Sequence, residues 1–290
     1  MLHGGEVAAA HTHWEQALAL CSPLPERVRA TPGSDLRVVC LSYLAWCLWL
    51  LGYPAQAEQR SHEALTLAQE LAHPFTLVFA LNYAAWLAYF HRDMQRAQEH
   101  AEVSIRLATE LGVADFLAAA MLIRGWSLAM QGQGEAGLGQ LRQGVVAYRA
   151  TGAGLHMTSI LVLFAAACGH LGHIQEGLAA LDEAFVLRDT YGECHYEAEL
   201  YRLKGELLLA VSRDAYLEAT TCFQHALAMA RQQQTKSWEL RAAMSLSRLW
   251  QRQGKREQAF QLLADLYGEF TEGLDTRDLQ AAQALLARLA

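Results

Sequence analysis

At 290 residues, 53% of them hydrophobic and 18% charged, with only five prolines, the chain has the composition of a compact globular protein and not of a disordered or fibrous one. Twenty-three Lys and Arg against thirty Asp and Glu leave a formal charge of -7 with no basic run to follow a phosphate backbone, so nucleic acid is not an expected partner. Length alone would allow two domains at about 150 residues each, but an internal periodicity overrides that count.

In chain order, Glu6 to Leu20 reads as the second helix of an incomplete first repeat, followed by a proline-containing linker from Ser22 to Asp35. Six first helices are then predicted near 35–51, 74–91, 115–131, 155–171, 195–211 and 236–253, each followed by a turn and a second helix. The turns Gly52-Tyr53-Pro54, His91-Arg92-Asp93, Gly132-Gln133-Gly134, Leu171-Gly172-His173, Ser212-Arg213-Asp214 and Gly254-Lys255-Arg256 carry helix-stop and helix-start signals. The second helices end near Ala72-His73-Pro74, Gly112, Gly152, Gly192 and Gln232, and Pro74 suits a helix's first turn. A single closing helix runs from Asp275 to Leu289, with Asp275 or Thr276 as its N-cap. The expected organisation is therefore 1–34 as a partial repeat and linker, 35–270 as six helical hairpins, and 271–290 as a cap.

The spacing behind these elements is regular. Small residues at Ala45, Ala85, Gly125, Ala165, Gly205 and Ser247 are separated by 40, 40, 40, 40 and 42 positions. A second series, Ala57, Ala97, Gly137, Gly177, Ala219 and Ala259, keeps the period, and a third follows it at Ala64, Ser104, Gly144, Ala184 and Ala226, with Leu266 as the exception. A small side chain at the same point of every helix lets the neighbouring backbone come close, where a Leu would overpack the contact by about 1–3 kcal/mol. The expected fold is all-α, an alpha-alpha superhelix of hairpins with a period of about 40 residues and no strands.

The apolar stretch from Val38 to Tyr53 is shorter than the roughly 20 residues a membrane span needs and recurs in register with the repeat, so buried helices explain it better than a membrane. Six cysteines (Cys21, Cys40, Cys47, Cys168, Cys194 and Cys222) without a Cys-x-x-Cys pair point to reduced thiols and a cytoplasmic location.

The hairpin with a small residue in its first helix, a glycine turn and alanines in the second is similar to the tetratricopeptide repeat, from which it departs in its longer period. More narrowly, Cys40-Leu-Ser-Tyr-Leu-Ala-Trp46, Gly52-Tyr-Pro54, Leu71-Ala-His-Pro-Phe75, Arg124-Gly-Trp126, Gln131-Gly-Gln-Gly134, Glu197-Ala-Glu-Leu-Tyr-Arg-Leu-Lys-Gly-Glu206 and Phe270-Thr-Glu-Gly273 resemble the C-terminal repeat region of large bacterial proteins. Those proteins join a class III adenylate or guanylate cyclase domain and a predicted ATPase to such repeats. The resemblance implies an interaction or sensing arm. It carries no catalytic activity over, because neither a cyclase domain nor a nucleotide-binding P-loop is present in this sequence.

Several motifs weigh little. Gly132-Gln-Gly-Glu-Ala-Gly137 has the letters of a dinucleotide fingerprint but no strand before it, and its glycines coincide with the repeat. His170 with His173, and Cys194, His195 and Glu197 at another helix start, offer metal donors without a complete ligand set. No cofactor, metal or enzymatic activity is expected.

Trp46, Trp86 and Trp126 follow the small-residue series by one position and keep its spacing. In tetratricopeptide arrays that position lines the concave surface, and helical periodicity adds Trp49, Phe79, Asn82, Tyr89 and Phe90 to the same face. The corresponding positions of later repeats are Glu199, Arg202 and Glu206, then Arg241, Arg248, Gln251 and Arg252. The expectation is a continuous groove, aromatic at first and arginine-rich at the end, that binds a protein or peptide segment by apolar anchors and acidic groups. The alternative is an effector sensor in which the groove closes on a small molecule and regulates an attached ATPase or cyclase. On the groove reading, Trp86→Ala leaves the melting temperature nearly unchanged and weakens binding by about 2 kcal/mol. The incomplete first repeat further suggests a part of something longer, or a helix face covered by another chain.

Overall fold

The computed structural model of the protein describes residues 2–24, 33–212 and 214–290. Residues 25–32 of the expected linker, and Arg213 of the fifth turn, lie outside the described residues. Among those described there are fourteen α-helices. A first helix, α1 (Val7–Cys21), precedes six pairs: α2 (Leu36–Leu51) with α3 (Pro54–Glu70), α4 (Pro74–Phe90) with α5 (Met94–Leu111), and α6 (Ala114–Met130) with α7 (Gly134–Ala150). Then come α8 (Met157–Leu171) with α9 (Ile174–Tyr191), α10 (Glu197–Val211) with α11 (Tyr216–Gln232), and α12 (Lys236–Arg252) with α13 (Arg256–Tyr267). The helix α14 (Arg277–Leu289) ends the chain, and a short 3-10 turn, Cys194–Tyr196, leads into α10.

Local chemistry sets the boundaries. The Asp35 carboxylate accepts from the Arg37 N–H at the start of α2, His73 Nδ1 accepts from the Thr76 N–H before α4, and the Asp93 carboxylate accepts from the Arg96 N–H before α5. Pro54 and Pro74 occupy first-turn positions. Gly52 ends α2 at φ 94°, a conformation that costs a residue with a Cβ. At the equivalent point of the second pair, Arg92 takes φ 59° and so bears that cost.

Each pair packs through the small residues. A methyl group on Gly137 would run into the Gly125 carbonyl oxygen and the backbone of Ala129, and one on Gly205 would sit 2.7 Å from the Phe223 ring. The repeat is thus a steric device that sets how closely the two helices of a pair approach. The dinucleotide-like glycines serve the same packing: the helix α6 precedes them, Gly132 forms the turn at φ 90°, and Gly137 is the contact.

The two helices of a pair differ in what surrounds them. Most residues of α2 and α4 are buried, whereas α3 and α5 bury chiefly Ala57, Ala64, Ala68, Ala97, Ala101 and Ala108. A helix apolar all round must be covered on all sides. Here α2, α4, α6, α8, α10 and α12 stand side by side as an inner layer, and their partners form the outer one.

The inner layer closes on itself. Helix α12 packs against α2: Ser237 Oγ donates to the Trp49 carbonyl at 2.5 Å, and the Trp49 and Trp238 rings meet edge to face at 4.8 Å. Arg241 of α12 donates to the Phe90 carbonyl at 2.5 Å and pairs with Asp278 of α14 at 2.6 Å, and Asp278 also pairs with Arg92. The Glu272 carboxylate accepts from the Ala55 and Gln56 N–H groups at the start of α3. One turn of superhelix therefore brings the last pair and the closing helix against the first two pairs. No described helix is long and apolar enough to cross a membrane.

Candidate functional site

The expected groove is not continuous. Trp49 and Phe90 stack at 4.8 Å in the middle of the inner ring, with Trp238 and Tyr196 packed around them and the Arg241 guanidinium about 5 Å above both Trp49 and Trp238. This plug removes Trp49 and Phe90 from any open surface, for the physical reason that ring closure places α12 where the groove would have continued. On either side of it lies a separate hollow. One is lined by the middle of α2 and of α4, the start of α6 and the turn before α8, the other by the last halves of α4, α6 and α8 together with α10 and Arg241 of α12.

The first hollow has a volume of about 260 Å³ and takes in Trp46, Phe79, Asn82 and Trp86 from the expected set. Tyr43, Tyr83, Phe116, Tyr148 and His156 complete its aromatic wall. The wall is braced from within: Tyr83 donates its hydroxyl to the Tyr43 oxygen at 2.6 Å, Trp46 Nε1 donates to the Tyr83 carbonyl at 3.1 Å, and Phe79 stacks on Tyr83 at 4.4 Å. Burial raises the pKa of both tyrosines, so their hydroxyls stay protonated. Asn82 donates to Ser104 Oγ at 2.6 Å, while its Oδ1 has no partner among the described residues. Asp115, half-buried at the edge, is not ion-paired to any described residue.

The second hollow, about 300 Å³, takes in Tyr89, Trp126, Glu199, Arg202, Glu206 and Arg241, together with Arg92 and His170. Its charges face one another. Arg202 grips Glu199 through two bonds of 2.6 Å and reaches Glu206 at 2.7 Å. Burial works against the charged guanidinium, but Glu199 and Glu206 outweigh it and hold the Arg202 pKa well above its ordinary value. The arginines expected to receive acidic groups of a partner thus already hold Glu199, Glu206 and Asp278. Arg248 and Arg252 lie beyond, with Glu206, around a third concavity of about 310 Å³. Arg248 is half-buried there, and that burial lowers its pKa.

The indoles form a connected file: Trp46 and Trp86 are 6.2 Å apart, and Tyr89 joins Trp86 to Trp126. Trp86 is nonetheless only 5% exposed, so its truncation is expected to lower the melting temperature, against the expectation drawn from the sequence. Tyr43 and Tyr83 escaped the sequence reading although they keep the 40-residue spacing one helical turn before Trp46 and Trp86. Phe116 and His156 also keep that spacing, in a series continued by Tyr196 and Trp238, whereas Tyr148 carried no such signal.

The sequence-derived metal candidates do not assemble as such. Glu197 pairs with Arg188 at 2.6 Å, and His173 faces Glu135 and Glu176 across 3.5 and 3.9 Å.

No protein-family model matches the chain. A stretch of 175 residues, 60% of the chain, is 23% identical to an uncharacterized protein of Rhizobium meliloti, and the match spans only 17% of that relative's length. Among solved structures, a Rap protein complexed with competence and sporulation factor superposes over 98% of this chain and 80% of its own, with a TM-score of 0.64 at 13% identity. NprR in complex with its cognate peptide NprX gives 0.63 at 10% identity, over 98% of this chain and 82% of its own. The fold is a tetratricopeptide-like helical solenoid. A signal transduction ATPase with numerous domains from Pyrococcus horikoshii, described as having a tetratricopeptide repeat sensor, aligns over 88% of this chain and 40% of its own, with a TM-score of 0.52 at 13% identity.

Proposed function

We propose that the chain is a non-catalytic binding module, the cytoplasmic interaction arm of a larger bacterial signalling protein, and that it takes a short partner segment at the mouth of its aromatic hollow. The observation that carries this reading is the hollow itself: an aromatic wall braced by its own hydrogen bonds, with the Asp115 carboxylate, unpaired among the described residues, at its edge. An apolar side chain next to a basic one matches that combination, since aromatic faces attract cations and the carboxylate supplies the counter-charge. The charged hollow offers less, because its arginines are already paired.

The larger context rests on resemblance. The sequence is similar to the repeat arm of cyclase and ATPase fusion proteins, the Rhizobium relative is several times longer than the matched stretch, and one structural neighbour is an ATPase with a repeat sensor. NprR holds a peptide, which supports a peptide as the partner class. Six free cysteines suit a reducing compartment. A second reading, effector sensing, is favoured by the bounded volume of the hollow, about 260 Å³, which suits one side chain or one small amine better than a long extended strand.

The test is a titration followed by tryptophan fluorescence, using short peptides that pair Leu or Phe with Arg, their uncharged analogues, and small aromatic amines. Binding of the basic peptides, weakened about tenfold by Asp115→Asn, supports the module. Binding of amines alone supports the sensor. Binding unaffected by Asp115→Asn and Phe116→Ala, or no binding at all, removes the hollow from consideration.

A further inference from the structure

The segment before α1 runs against the turns before α8 and α10 and brings together three residues that the sequence keeps apart. His3 comes from the segment before α1, His156 from the turn before α8, and Glu193 from the turn before α10. One ligand atom from each lies within 4.8 Å of the others. We propose that His3, His156 and Glu193 bind a divalent transition-metal ion of the zinc class.

Four observations converge on it. First, Glu193 is only 1% exposed, and no cationic side chain among the described residues pairs with it. Buried carboxylates are, as a rule, paired with a cation or bound to a metal. Second, its orientation is fixed by the backbone: Oε1 accepts from the His156 N–H at 2.5 Å and Oε2 from the Thr158 N–H at 3.1 Å. Each oxygen keeps a second lone pair, and hydrogen bonds of this sort commonly orient a ligating carboxylate. Third, ring nitrogens nearby lack partners: His3 Nδ1 and both nitrogens of His195, a residue 1% exposed, bond to no described residue. The His195 ring centroid is 4.9 Å from that of His3, as is the His156 centroid. Fourth, His156 holds φ 70°, a strained backbone of the kind that concentrates at binding sites.

Donor chemistry selects the ion. Imidazole and carboxylate together suit zinc, with bonds of about 2.0–2.2 Å. A tetrahedron of that size sets its ligand atoms about 3.3 Å apart, so modest rotation of the two rings closes the group. An ion here would tie together three separate segments. The backbone already does so in part, since the His3 carbonyl accepts from the Cys194 and His195 N–H groups at 2.6 and 3.2 Å. Because His156 also lines the aromatic hollow, the ion would stiffen that wall.

The experiment is a titration of the chelator-treated full chain with zinc by calorimetry, repeated with cobalt to read coordination from its visible spectrum. One equivalent is expected to bind and to raise the melting temperature. The variants His3→Gln and His156→Gln should each weaken binding at least tenfold. His3→Gln leaves the His3 backbone bonds in place, so it reports on ligation even if changes nearer α8 disturb folding. The pair His170→Gln and His173→Gln, outside the cluster, should leave binding unchanged. Absence of a stoichiometric site, equal affinity in His3→Gln, or loss of binding only in the His170 and His173 variants would overturn the proposal. None of these outcomes depends on the peptide reading of the hollow.

Discussion

The two hollows of the inner ring share α4, α6 and α8 but are opposite in character, the first completed by α2 and α7 and the second by α10 and α12. The aromatic one leaves at its edge a carboxylate unpaired among the described residues, whereas the charged one turns its guanidiniums onto its own carboxylates. A charge in the second hollow is therefore part of the structure, and a charge in the first is open to a partner. Side chains at equivalent helix positions divide between recognition and closure according to what the ring places opposite them.

The difference can be broken most forcefully at the plug. Trp238→Ala or Phe90→Ala removes a ring less than 2% exposed and should cost about 3–5 kcal/mol, read as a large fall in denaturant midpoint. A cost under about 1 kcal/mol would mean that the hollows are not held apart by this packing. Asp278→Asn comes next. It strips the part-buried carboxylate from the buried Arg241 and from the exposed Arg92, and a guanidinium left buried without its partner costs at most about 3–5 kcal/mol. Urea denaturation of this variant checks it.

The same closure should respond to acid. Burial raises the Asp278 pKa, but Arg241 and Arg92 outweigh that and hold it below the ordinary 3.8, and Arg202 does the same for Glu206 against its ordinary 4.5. Because the folded forms bind protons less readily than the unfolded chain, this stabilisation is complete above those ordinary values and is lost as pH falls through the lowered ones. Melting temperature should thus decline below about pH 4.5, and Asp278→Asn should flatten part of that decline. Gly137→Leu probes the seam of a single pair and is expected to cost about 1–3 kcal/mol by overpacking. The smallest effect belongs to the aromatic hollow's edge: Asp115→Asn should change stability by less than about 0.5 kcal/mol, since that carboxylate has no ionic partner to lose. A stability loss as large as that of Asp278→Asn would erase the contrast between the hollows.

How much of this could be read in advance follows from range. Helix positions were legible because caps, glycine turns and small contact residues act over a few residues, so that α4, expected at 74–91, runs from Pro74 to Phe90. The inward direction expected for Trp46, Trp86 and Trp126 came from the resemblance to tetratricopeptide arrays, not from their spacing. That Trp49 and Phe90 are enclosed was not legible, because the residue that covers them, Trp238, is nearly 190 positions beyond Trp49 and meets it only when the turn of superhelix completes. The pairing of Arg241 with Asp278 is a product of that same closure, and the gathering of His3 with His156 and Glu193 depends on the N-terminal segment reaching the turns before α8 and α10.

Open solenoids fray from their ends, each unit leaning only on its neighbours, and their stability grows as units are added. Contact of α12 and α14 with the first two pairs removes that freedom. Here an inserted or deleted unit would leave the seam unmatched, so the repeat number is fixed by geometry. Melting should accordingly be a single cooperative transition and not a progressive unzipping.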